Sequence, residues 1–117
     1  MGRFNVSLLS NLSVDELVKG LSFQAIDSKS KELFAKLLMS AEDGYAIGEK
    51  LDSDDPTYAR MYRANYQDNI VSLVTSANLS KPLEKLAYDI AHFSYSEGFR
   101  YRASNPPSIE RLKAALA

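Results

Sequence analysis

The four prolines, Pro56, Pro82, Pro106 and Pro107, constrain this chain more than any other residues do. Proline breaks a helix interior, because it lacks an N–H and its ring collides with the preceding turn, yet it is well tolerated in a first turn. Asp55 before Pro56 reads as an N-cap followed by the first helical residue, and Ser80 caps a helix with Pro82 in its opening turn. "SNPP" at 104–107 closes the helix that begins near Ser80. The stretches between these marks carry the i, i+3, i+4 apolar spacing of amphipathic helices.

Other local signals agree. "LSVDEL" is a capping box, with Ser13 as N-cap, Glu16 at the third helical position and Leu12 and Leu17 as the flanking staple. It opens a short helix to about Leu21, after an apolar lead-in at Val6, Leu8 and Leu9. A second helix starts at Asp27 or Ser28 and carries the stripe Leu33, Phe34, Leu37, Leu38, Ala41, Tyr45. Gly44 and Gly48 fall on that stripe, where they either let a neighbouring helix come close or end this one early. The third helix, from Pro56 to about Leu79, places Tyr58, Tyr62, Tyr66, Ile70, Leu73 and Ala77 on one face. The tail "SIERLKAALA" is a short helix with Ile109, Leu112 and Leu116 on one side.

These segments define an all-α fold: one domain over residues 1–117, a compact bundle of four main helices plus short terminal ones, with short loops making neighbours antiparallel. No apolar run approaches the ~18 residues needed to span a bilayer, and "MGRFNVSLLS" makes a poor secretory signal. Cysteine is absent, which removes disulfides, thiolate zinc sites and cysteine nucleophiles, and fits a reducing compartment. The expectation is a soluble, cytoplasmic protein without membrane contact.

Charge is uneven along the chain. Residues 1–57 hold ten acids against six bases, whereas residues 58–117 hold five acids against eight bases. A split of this kind suits a polar partner or head-to-tail self-contact. The acidic run at 52–55 is not an EF-hand loop: it lacks the required glycine, and Arg63 would occupy the closing glutamate position.

The fourth helix is the most informative. Leu83, Leu86, Ala87, Ile90 and Ser94 form an aliphatic stripe, continued by Tyr101. More than a third of a turn away lies an aromatic one, Tyr88, His92, Tyr95 and Phe99, edged by Arg102. Only Lys85, Asp89, Ser96 and Arg100 make a narrow polar strip. A helix apolar around most of its girth belongs at the centre of a bundle. Tyr, Phe and Arg together are also the types enriched at protein interfaces, because they join apolar area to a polar handle. The candidate partner-binding residues are therefore Tyr88, His92, Tyr95, Phe99, Arg100 and Arg102, joined by Tyr62, Arg63 and Tyr66.

Signals for chemistry are sparse. His92 is the single histidine and Asp89 precedes it by three residues, a pair able to orient a general base, but no nucleophile motif accompanies it. No metal-ligand spacing and no glycine-rich phosphate loop occurs, so no cofactor or metal is expected. The C-terminal arginines interleaved with tyrosines could meet a nucleic acid, against which stands a pI of 5.8. The reading is a small non-catalytic adaptor, regulator or inhibitor, of the kind phages and plasmids use as accessory proteins, that binds another protein or itself. Behind it come a nucleic-acid-binding accessory protein using the Arg/Tyr patch, and a small enzyme centred on His92.

Overall fold

The computed structural model describes residue 4 and residues 9–24, 26–53 and 56–117, and among these residues every regular element is a helix. The elements are α1 (Val14–Phe23), α2 (Ser28–Leu38), α3 (Ser40–Leu51), α4 (Pro56–Ser76), α5 (Lys81–Tyr101) and α6 (Pro107–Leu116). The all-α bundle expected from the sequence is the observed fold.

Local chemistry sets most of the boundaries. At α1 the capping box forms reciprocally: the Glu16 N–H donates to the Ser13 hydroxyl at 3.2 Å, and the Ser13 N–H donates to the Glu16 carboxylate at 3.0 Å. Asp27, rather than Ser28, caps α2 by accepting from the Ser30 N–H at 2.8 Å. That bond holds the Asp27 carboxyl below the usual carboxylate range. Pro56 is the first residue of α4, while its expected N-cap, Asp55, lies outside the described residues, as do Val6 and Leu8. Ser80 is the N-cap of α5 by backbone geometry, although its side chain makes no capping bond. Asn78 and Arg102 take left-handed conformations, φ 52° and 50°, just beyond the ends of α4 and α5. Few side chains other than glycine adopt that region, and in both places it turns the chain sharply out of a long helix.

The expected second helix is two helices. The break comes at Met39, where no glycine or proline marks it. The Met39 N–H donates to the Lys36 carbonyl at 3.0 Å and the Met39 carbonyl accepts from the Glu42 N–H at 2.9 Å. These bonds run to the third residue instead of the fourth, which tightens the turn and re-aims the axis. The glycines have the first of their two expected roles. A Cβ on Gly44 would overlap the Tyr95 carbonyl, and one on Gly98 would overlap the Ala41 carbonyl, so α3 and α5 meet backbone to backbone. Since Ala41 neighbours Gly98 and Gly48 neighbours Arg102, the two helices run in the same sense. The long α4 leads back between them.

α5 is the central element, packed by α1, α2, α3 and α4, while α6 lies across α1 and α2. It buries residues around nearly its whole girth in its second half, from Phe93 to Gly98. The narrow polar strip expected there is broken by Ser96, which is only 1% exposed and accepts a hydrogen bond from the Ser10 N–H at 2.8 Å. Tyr101, expected to continue the aliphatic stripe, is exposed. On α4 the inward line is Ala59, Tyr66, Ile70 and Val74. The expected single face therefore divides: Tyr66 and Ile70 point inward, whereas Tyr58, Tyr62 and Leu73 are exposed. At about 100° per residue, Tyr58 and Tyr66 are separated by most of a quarter turn, and the core takes only one of them.

Candidate functional site

The nine residues singled out in the sequence divide between the interior and the surface. Tyr95 is completely buried and Tyr66 is 3% exposed, so neither offers a contact surface, which corrects the expectation for both. Their rings stack at 5.1 Å with an interplanar angle of 17°, and Tyr95 stacks in turn on Phe99 at 6.3 Å. The reason is the position of α5: its aromatic stripe faces α4 and Phe4, not solvent. The Tyr66 hydroxyl donates to the Ala91 carbonyl at 3.0 Å. Burial pushes both tyrosine hydroxyls above the usual phenol range, and at Tyr95 the neighbouring Arg63 guanidinium opposes part of that push.

Tyr88 and His92 are half-buried beneath a cover that the sequence did not reveal. The Phe4 ring stacks on Tyr88 at 5.0 Å and meets His92 edge-on at 6.5 Å and Tyr66 edge-on at 6.2 Å. Asp89, the expected orienter of His92, accepts an ion pair from Lys85 at 2.8 Å. Among the described residues, no group of three or more metal-binding side chains comes together.

The C-terminal end of α5 is knitted into the bundle. Phe99 is half-buried under the Arg102 guanidinium, 4.7 Å from its ring centroid, and Arg102 pairs with Asp52 at 3.2 Å. Arg100 is exposed and pairs with Glu97 at 3.3 Å. The Glu97 carboxylate is itself nearly buried, and accepts from the Ser108 hydroxyl at 2.7 Å, tying α5 to the first turn of α6. These two arginines act first as intramolecular clamps.

The N-terminal half of α4 and the end of α3 carry an open surface, while Phe23, Met39 and Tyr101 are exposed singly elsewhere. Tyr58, Met61 and Tyr62 are 51%, 54% and 44% exposed. The Lys50 ammonium lies over both tyrosine rings, at 5.9 and 5.4 Å from their centroids. That geometry is a cation–π clasp holding the two rings side by side. Around the same end of the bundle, Ile47, Leu51, Pro56, Ala59, Arg60 and Arg63 line a cleft of about 250 Å³. Of the nine candidates, only Tyr62 and Arg63 belong to this region; the structure adds Lys50, Tyr58, Arg60 and Met61. Tyr58 and Arg60 were legible in the sequence, as the start of the Tyr58, Tyr62, Tyr66 ladder and one of the arginines that flank it. Lys50 was not, because its place depends on how α3 packs on α4.

The fold and this surface define an all-α helical bundle with an aromatic and cationic face at one end. No helix is long and apolar enough to cross a membrane among the described residues. No family model, curated protein or solved structure matches the chain.

Proposed function

We propose that the protein is a small non-catalytic binding protein, an adaptor, regulator or inhibitor that acts in the cytoplasm by contact with another protein. The observation that carries this reading is the exposed Tyr58–Met61–Tyr62 cluster clasping Lys50. Isolated exposed apolar residues are ordinary, but two tyrosines and a methionine within two turns, bordered by Lys50, Arg60 and Arg63, have the composition of a contact surface. Tyrosine loses little side-chain entropy on docking and offers both a ring and a hydroxyl. The three cations favour a partner surface that carries carboxylates.

A Tyr58→Ser/Tyr62→Ser double variant tests this. Both side chains face solvent, so its stability should stay within about 1 kcal/mol of wild type. A tagged pulldown from nuclease-treated host lysate should then recover a stoichiometric partner with wild type and lose it with the variant. Equal recovery by the two proteins refutes the assignment of this face.

A further inference from the structure

Two arginines stand apart from the others. Among the described residues, Arg100, Arg102 and Arg111 each pair with a carboxylate, those of Glu97, Asp52 and Asp15, whereas Arg60 and Arg63 pair with none. Both line the cleft between the end of α3 and the start of α4. Pro56, Ala59, Arg60 and Arg63 stand at i, i+3, i+4 and i+7, so a single face of α4 carries an apolar base and two guanidinium groups. Ile47 and Leu51, one turn apart on α3, complete the apolar part.

Arg63 also lies beside the buried Tyr95 hydroxyl, where it opposes the effect of burial. That hydroxyl makes no hydrogen bond of normal geometry among the described residues. A guanidinium offers donors only, so Arg63 gives the phenol proton no acceptor. The polar groups at this end of the bundle are therefore donors, and two of them are cations. Their chemical complement is an anionic acceptor, and a planar carboxylate matches the guanidinium fork.

Size narrows the ligand. Sites for drug-sized molecules run to roughly 300–1,000 Å³, and a cavity of about 150 Å³ takes benzene. The cleft, at about 250 Å³, lies between them. Four of its six lining residues are apolar, Ile47 and Ala59 being 2% and 3% exposed, so most of an occupant's surface meets hydrocarbon. We infer that the cleft of Ile47, Leu51, Pro56, Ala59, Arg60 and Arg63 binds a small monocarboxylate with an apolar body, its carboxylate held by the two arginines and its hydrocarbon laid against α3. The site borders the exposed tyrosine face but uses neither tyrosine, so either assignment can fail without the other.

An amide NMR titration of the full chain with sodium octanoate, beside octan-1-ol and inorganic phosphate, tests this. Octanoate should shift the Ile47, Leu51 and Ala59 amides saturably and bind about tenfold tighter than octan-1-ol, since only the carboxylate makes charge-assisted hydrogen bonds. Phosphate should leave those amides unmoved. Equal affinity for octanoate and octan-1-ol, saturable shifts confined to other residues, or phosphate acting as octanoate does would each overturn the inference. These arms use the unmodified chain, so they decide the matter whatever Arg63 contributes to folding. Arg60→Gln replaces an exposed side chain and should weaken octanoate about threefold while leaving octan-1-ol unchanged. Unaltered octanoate affinity in that variant counts against the site. The Tyr58→Ser/Tyr62→Ser variant should bind octanoate as wild type does, and a loss there would move the carboxylate to the tyrosine face and dismiss the cleft.

Discussion

The seam between α3 and α5 is built from residues with almost no side chain, whereas the N-terminal half of α4 carries large side chains on its outside. At the seam, Ala41, Gly44 and Gly98 let two backbones touch, and any added atom meets a carbonyl. On α4, Tyr58, Met61 and Tyr62 meet solvent, and the two tyrosine rings meet the ammonium of Lys50. The first region has no slack, because backbone atoms cannot rotate away as side chains can. The second has area to spare, which is what a contact surface requires. The same bundle thus separates a frame that tolerates no change from a face that tolerates much.

The sharpest way to break this comparison is to give the seam a methyl group. Gly44→Ala should cost about 3 kcal/mol, at the upper end for overpacking, read as a lower urea midpoint with an unchanged slope. Gly48→Ala is the matched control on the same helix. A Cβ there meets the guanidinium end of Arg102, which can swing aside, so the gain in helix propensity should leave stability within about 1 kcal/mol of wild type. If the two variants lose the same amount, the seam is not the rigid element described.

Between these extremes stands the stacked pair Tyr66 and Tyr95, which distinguishes two kinds of buried hydroxyl. Tyr66→Phe removes a 3.0 Å bond to the Ala91 carbonyl and should cost about 1 kcal/mol. Among the described residues the buried Tyr95 hydroxyl makes no hydrogen bond of normal geometry, although the Arg63 guanidinium lies close enough to oppose the effect of burial on it, and its deletion should be neutral or stabilising by about 0.5 kcal/mol. Chemical denaturation of both variants checks the order. Reversal of that order would mean that Arg63 holds the Tyr95 hydroxyl more firmly than its geometry indicates.

The parts of this fold that were legible in the sequence are those decided within four residues. Ser13 with Glu16, Asp27, Pro56, Pro82 and the Pro106–Pro107 pair each act on their own backbone, so their signals survive without knowledge of the fold. The central place of α5 was legible too, because a helix apolar on two faces needs two neighbours. The break at Met39 was not. It lies in a run of good helix formers with no glycine or proline to mark it, and the contact its new direction serves, Gly44 against the α5 backbone, is remote in sequence. The phase of α4 was hidden by tyrosines on several sides of one helix, which blunt the contrast between inside and outside. The candidate site suffered for a related reason. A stripe of Tyr, His and Phe reads alike whether a partner or the chain's own Phe4 lies against it, and sequence periodicity does not report contacts between residues 4 and 88.

The smallest expected effect concerns Asp43, which adjoins Gly44 in the first turn of α3. Burial first, and the charge of neighbouring Glu42 second, raise its carboxyl from 3.8 to about 6. Although the residue as a whole is open to solvent, the packing around its carboxyl outweighs the favourable N-terminal end of the helix. In this case the folded state holds the proton more tightly than the unfolded chain does. Stability contributed by the protonated group is therefore present below the unfolded value of 3.8, falls as pH rises towards 6, and levels off above it. Asp27, whose carboxyl is lowered, works in the opposite sense, so the total pH profile mixes the two slopes. The difference between wild type and Asp43→Asn isolates one of them. Solvent screening keeps it small: the variant should melt about 1–2 °C higher at pH 7.5 and at the wild-type temperature near pH 4. The same increment at both pH values would show that Asp43 is charged in the fold throughout that range, and that the α3 end of the seam is as open to water as the face of α4.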